Sequence, residues 1–228
     1  MTTQQVLTQL KKIGTPKTAA TYVRHGVTGA CYGVSYGDLK PFVKKIGKNH
    51  TMALELWDSG VHDARIAATM IAEPAKMTRA QIESWLGECT NYVLCDAVSG
   101  VAAGMPEAMP IAKNWIAQKN EWVATAGWNT IGFLAAKGKV SADEGGQLLD
   151  RIERTIHRQP NRARHAMNGV LIGIGGYVSS LRTRALTVAK SIGKVEVDHG
   201  DTGCVTPDAA GYIAKLLARQ AEKAKREI

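Results

Sequence analysis

The sequence predicts an all-α fold, an α-solenoid in which antiparallel helix pairs stack into a superhelix. Three observations predict it. A helix-opening segment recurs at positions 62, 91, 120 and 161, so that successive starts lie 29, 29 and 41 residues apart. Each start opens a long apolar stretch with the helical period. Alternation of β-branched residues is nearly absent outside Val195-Glu196-Val197, and no Asn-Gly turn joins two strand-like runs. Recurrence on this scale marks repeats that cannot bury their apolar faces alone and must stack to do so.

The 228 residues read as a single repeat domain over 1–228. An N-terminal helical group takes residues 1–48 and begins with the amphipathic MTTQQVLTQLKKIG. Repeats follow over about 50–222, as pairs near 50–72, 78–104, 106–137, 141–178 and 181–222, about twelve helices in all. Asn91, Asn120 and Asn161 stand where N-caps belong, and Gly and Pro fall at joints such as Gly104-Met105-Pro106 and Gln159-Pro160. The first helix of a pair is amphipathic, with Ile82, Trp85 and Leu86 in one and Leu148, Leu149, Ile152 and Ile156 in another. The second helices, such as Ala64–Ala72 and Ala97–Gly104, are apolar and rich in small residues, which suits close packing in an inner layer. Polar residues at the starts of these inner helices are expected to line a concave face. These are the features of HEAT-like repeats. Residues 194–204 form the longest irregular piece, and 218–228 read as a charged, solvated helix end.

Composition narrows the function. Apolar residues make up 45% and charged residues 21%, as in an ordinary globular protein. No run approaches the roughly 20 apolar residues that span a bilayer, and the N-terminus has no apolar signal core, so a cytoplasmic protein is expected. Cys31, Cys89, Cys95 and Cys204 form no CxxC pair, which points to reduced thiols and to no metal site. No cofactor is expected. The net charge of +9 points to a polyanionic partner, whose binding would release condensed counterions.

The candidate site residues follow from where polar groups interrupt the apolar runs. Asp96 is the one carboxylate in the helix start Tyr92-Val-Leu-Cys-Asp96, and Tyr92 shares its helix face. In a basic groove that pair suits stabilisation of a developing sugar cation, with the carboxylate positioning a water. The same pair also fits a helix cap or an inter-helix salt bridge. Arg65 and Arg164 hold equivalent positions in two repeats, where they would clamp successive phosphates or else form salt bridges, Arg65 with Asp63 or Asp58. Basic residues gather at Arg151, Arg154, Arg158, Arg162 and Arg164 with His157 and His165, and again at Lys40, Lys44, Lys45 and Lys48. Of the five Trp residues, Trp122 at a helix start is the one expected nearest the surface.

These residues together resemble the DNA alkylation-repair glycosylases of the AlkD type, over almost the whole length. The resemblance rests on Cys31-Tyr-Gly-Val-Ser-Tyr-Gly-Asp-Leu-Lys40, Leu56-Trp-Asp-Ser-Gly-Val-His-Asp-Ala-Arg65, Asn91-Tyr-Val-Leu-Cys-Asp96 and Asn120-Glu-Trp-Val123. Ile192–Asp198 and Pro207–Ala210 complete it. It implies a stack of HEAT-like repeats holding double-stranded DNA, and metal-independent excision of N3- and N7-alkylated purines. It places the family's catalytic aspartate on Asp96, and the family's tryptophan one turn earlier on Tyr92. Tyr32, Lys40, Lys44, Arg65, Trp122, Thr125, Arg162 and Arg164 become the DNA-binding candidates. Two departures stand out. The family's arginine falls on Thr125, and no aromatic occurs within 168–174, where a second cleft ring belongs. Losing a phosphate clamp or a stacking surface costs about 1–3 kcal/mol of binding each. The expectation is a monomeric protein that binds duplex DNA, alkylated DNA included, as an N-glycosylase of weak or altered specificity. The alternatives are a non-catalytic binder of DNA structures and a helical-repeat scaffold for other proteins.

Overall fold

The computed structural model describes residues 1–226, and the expected tail continues to residue 228, outside the described residues. Thirteen α-helices account for nearly all regular structure, and no strand occurs among the described residues. They are α1 (Thr3–Ile13), α2 (Pro16–Arg24), α3 (Tyr36–Ile46), α4 (His50–Asp58), α5 (His62–Ile71), α6 (Arg79–Gly87), α7 (Tyr92–Ala102), α8 (Ala108–Trp115), α9 (Glu121–Ala136), α10 (Ala142–Thr155), α11 (Asn161–Tyr177), α12 (Arg182–Ile192) and α13 (Ala209–Arg226). The helices from α4 to α13 fall two by two in the five ranges that the apolar period predicts, except that α13 runs past 222 to Arg226. Contacts group the chain into two compact units, residues 1–108 with 200–202, and residues 109–199 with 203–228.

In the first unit α5 is the central element, packing against α1, α3, α4 and α7. Its Ala64, Ala67 and Ala68 are fully buried, because side chains this small let neighbouring backbones approach from several sides. Asp63, in the first turn of α5, is 1% exposed. Its carboxylate accepts the backbone N–H of Tyr32 at 2.5 Å, Gly33 at 3.3 Å and Val34 at 2.6 Å. Gly33 adopts φ +77°, in the left-handed region that favours glycine, and its carbonyl accepts Thr15 N–H at 2.9 Å. The segment between α2 and α3 is thereby tied to α2 on one side and to α5 on the other.

In the second unit α11 plays the central part, against α9, α10, α12 and α13. Residues 170–176 of α11 are buried without a break. Gly127 of α9 marks the tightest approach to α8: a Cβ there would stand 2.7 Å from Ile116 N and 2.9 Å from the Ala112 carbonyl. Asn91 and Asn120 cap α7 and α9 as expected, accepting Leu94 N–H at 3.0 Å and Trp122 N–H at 3.0 Å. Asn161 does not cap α11. It is the first helical residue, after Pro160, and its side chain bonds both Asp198 N and Asp198 O at 2.7 Å. It thereby anchors the irregular segment that runs from α12 to α13. No helix among the described residues is long and apolar enough to cross a membrane.

The buried carboxylate of Asp63 is the local keystone of the first unit. Asp63→Ala leaves three backbone donors without their acceptor and is expected to lower unfolding stability by about 3 kcal/mol, whereas exposed Asp58→Ala stays within about 0.5 kcal/mol. Urea unfolding checks this, and equal effects of the two variants would overturn the assignment.

Candidate nucleic-acid interface

The first unit gathers the residues around Asp96. The Asn91 cap fixes where α7 begins, which places Tyr92 in its first turn and exposed Asp96 one turn later on the same face. Half-buried Tyr92 hydrogen-bonds through its hydroxyl to Nδ1 of His25, with the rings edge to face at 5.8 Å between centroids. The segment after α2 lies against the α7 start: Gly26 approaches the Asn91 side chain, and the Thr28 and Thr90 hydroxyls stand 3.4 Å apart. Tyr36, at the start of α3, keeps 37% of its surface exposed. Its phenol is pushed up to about 12, first by desolvation within the site and then by the Asp96 carboxylate. It therefore stays protonated as a donor. The unit thus assembles His25, Tyr36, Tyr92 and Asp96. The sequence pattern picks out only Tyr92 and Asp96, because nothing local links positions 25 and 36 to α7.

Of the other candidates in this unit, Lys40 and Lys44 lie one turn apart on α3, both exposed and outside any ion pair among the described residues. Tyr32 is half-buried, its backbone held by Asp63. Arg65 is engaged elsewhere. Its guanidinium pairs with Glu88, donates from Nε to the Trp57 carbonyl at 3.2 Å and lies 5.0 Å over the Trp57 ring. Trp57 in turn stacks on Trp85 at 4.3 Å. Arg65 therefore fastens α4, α5 and the end of α6, rather than standing open as a phosphate clamp, and its partner is Glu88 rather than Asp63 or Asp58. Lys48 is likewise absorbed, donating to the Met70 and Ala72 carbonyls at the end of α5.

In the second unit, Trp122 is half-buried in the first turn of α9, whereas Thr125 is 2% exposed and its hydroxyl has no hydrogen-bond partner. Thr125 offers no atom to a ligand, because its side chain is buried. Glu121 reaches the start of α11 and accepts Arg162 N–H at 2.6 Å. Arg162 and Arg164 are both half-buried in that first turn. His165 beside them meets His199 edge to face at 5.5 Å, and His199 Nε2 lies 2.9 Å from the Thr206 hydroxyl. Burial, then Arg162, then His199 lower His165 to about 4. His165 is therefore neutral near pH 7 and adds no charge to the basic cluster. Arg151 is also committed, donating to the Ile116 carbonyl at 2.5 Å and lying 5.7 Å over Trp128. No group of three His, Cys, Asp or Glu among the described residues could hold a metal ion.

Comparison with known proteins gives the family and the fold. The sequence model of the DNA alkylation repair enzymes matches residues 6–213. The chain belongs to this family. Two relatives, uncharacterized proteins of Listeria innocua and Listeria monocytogenes, are each 32% identical over 225 residues. Each match covers 96% of this chain and 99% of the relative. A solved structure from a new family of proteins related to the HEAT-like repeat DNA glycosylases, with affinity for branched DNA structures, superimposes with a TM-score of 0.88. It is 29% identical, and the match covers 96% of this chain and 95% of that one. The fold is therefore the HEAT-like helical repeat. Thr125 is buried, and 168–174 is buried α11 core save for Gly169.

The histidine pair gives a pH signature. His165 has a lower pKa folded than its ordinary value near 6.5, so its contribution to stability is present above that value and is lost as pH falls through about 4. His199, lowered chiefly by burial, acts in the same direction. The urea midpoint is expected to drop between pH 7 and pH 4.5, and to drop less in His165→Gln. An unchanged drop in the variant would contradict the assignment.

Proposed function

We propose that the protein binds DNA non-catalytically, with preference for branched structures. The observation that carries this reading is the burial of Thr125, the residue on which the sequence resemblance puts the family's arginine. Support comes also from family membership and from the neighbour with affinity for branched DNA. A buried threonine on α9 cannot stabilise a developing charge or hold a phosphate that approaches from solvent. Cations suited to phosphates remain in each unit: Lys40 and Lys44 on α3, and Arg162 and Arg164 at the start of α11. Tyr36 supplies a ring and a phenol donor beside Asp96, and Tyr92, its hydroxyl bonded to His25, supplies a second ring.

A second reading is weak excision of alkylated purines, and exposed Asp96 one turn after Tyr92 favours it. On that reading Asp96 would position water and stabilise the sugar cation. On the preferred reading it orients Tyr36 and repels phosphate from one edge of the site.

Binding to a labelled four-way junction should weaken steeply with salt, with a log–log slope near −0.9 for each phosphate neutralised, and Lys40→Ala with Lys44→Ala should make the slope shallower by about 2. Asp96→Asn should leave binding equal or slightly tighter. Junction binding independent of salt would exclude the phosphate contacts, and no junction binding would exclude DNA binding and favour a protein-interaction scaffold.

A further inference from the structure

The second unit contains a cavity of about 620 Å³ that none of the residues discussed above as DNA contacts enters. Its size falls within the roughly 300–1,000 Å³ typical of sites for small ligands. It lies between α12, the start of α13 and the irregular segment that joins them, over α11. Leu186, Ala189, Val195 and Pro207 give it apolar walls, while Lys190 and Lys194 stand at its edge. Lys190 is exposed, and Lys194 is held only by an ion pair with Glu196 at 2.6 Å in which both side chains are well solvated. Such a pair is readily exchanged for a phosphate.

The polar lining is what gives the cavity a chemical preference. Asn168 is 1% exposed and donates from Nδ2 to the Pro207 carbonyl at 2.9 Å. That bond fixes which way the amide points, so the atom left over is the oxygen, and Oδ1 is buried with no hydrogen-bond partner. A buried acceptor without a donor is costly, which makes Asn168 a group awaiting an N–H. Asp208, also in the lining, caps α13 by accepting Gly211 N–H at 2.7 Å through one oxygen. Its carboxylate, on a residue of the same lining, is a second acceptor, and its charge disfavours an anionic group beside it.

We propose that this cavity takes a single unpaired nucleotide, with guanine the favoured base. A nucleotide is the ligand class that joins a flat, largely apolar ring bearing N–H groups to a phosphate. The ring fits the apolar walls and the phosphate fits Lys190 and Lys194. Guanine carries adjacent N1–H and N2–H donors, which suit two acceptors, whereas thymine offers one N–H between two carbonyl oxygens. The inference rests on the DNA-binding reading for its natural source, an extrahelical nucleotide at a branch point. A free guanine nucleotide has the same chemistry.

Two measurements separate these sources. In the first, junctions carrying one extrahelical guanine, thymine or abasic residue are compared by fluorescence anisotropy. The extrahelical guanine should tighten binding about tenfold over the abasic residue, with thymine between them. In the second, free dGMP and dTMP are titrated by NMR or calorimetry. Ala210→Trp, which fills the cavity from half-buried Ala210 at the start of α13, should abolish the guanine gain and any dGMP binding. Binding of the fully paired junction should be unchanged in that variant. Asn168→Leu, close in size, should lose the guanine preference while keeping the fold, as thermal unfolding would show. Equal binding of guanine and abasic junctions, with no dGMP binding, overturns the proposal while leaving DNA binding intact. Failure of every junction to bind defeats the DNA reading instead. In that case, dGMP binding lost in Ala210→Trp supports a site for a free nucleotide, and no dGMP binding overturns the site altogether.

Discussion

The constraint on which the rest of the structure depends is that the second helix of each pair must be packed on several sides at once. α5 contacts four other helices in the first unit, and α11 contacts four in the second. A helix in that position cannot carry large polar side chains along its length, because each would be buried without partners. Its sequence is driven toward Ala, Gly and medium aliphatics, as in the buried run 170–176 of α11. Polar chemistry is then concentrated near the helix starts, where backbone donors and adjoining segments can satisfy it, with small buried exceptions such as Ser99 and Asn168 farther along.

The four recurring helix starts show what this leaves open. At α5 the polar group, Asp63, turns inward and organises the segment before α3. At α7 the carboxylate turns outward as Asp96, with Tyr36 and Tyr92 in its site. At α9 the equivalent residue, Thr125, is sealed in. At α11 Arg162 and Arg164 stand beside neutral His165, which meets His199 of the irregular segment, and Asn161 fastens that segment toward α13. One repeated device thus serves structural, ligand-facing and core roles, and the proposed loss of chemistry with retained DNA binding follows from which copy does which.

Much of the fold was legible because it is written in local periods. The apolar spacing, the capping asparagines 91 and 120 and the Gly and Pro joints mark every helix pair to within a few residues. The lone carboxylate at 96 was legible for a related reason, standing in an apolar run where burial would be costly. What local pattern does not carry is the direction in which a first-turn side chain points. Arg65 and Asp63 are two residues apart, yet one is fixed by Glu88 on the following helix pair and the other by backbone in the segment before α3. The burial of Thr125, the neutral state of His165 and the Asn161 anchor likewise depend on neighbours distant in sequence.

The central claim is that this member of the family binds DNA without depurinating it. Its most direct test is release of 7-methylguanine and 3-methyladenine from alkylated duplex and junction DNA, by the wild-type protein and by Asp96→Asn. The account predicts no release by the wild type above that of the variant, with junction binding retained by both. Release by the wild type that Asp96→Asn abolishes would contradict it and establish Asp96 as the residue that performs the excision.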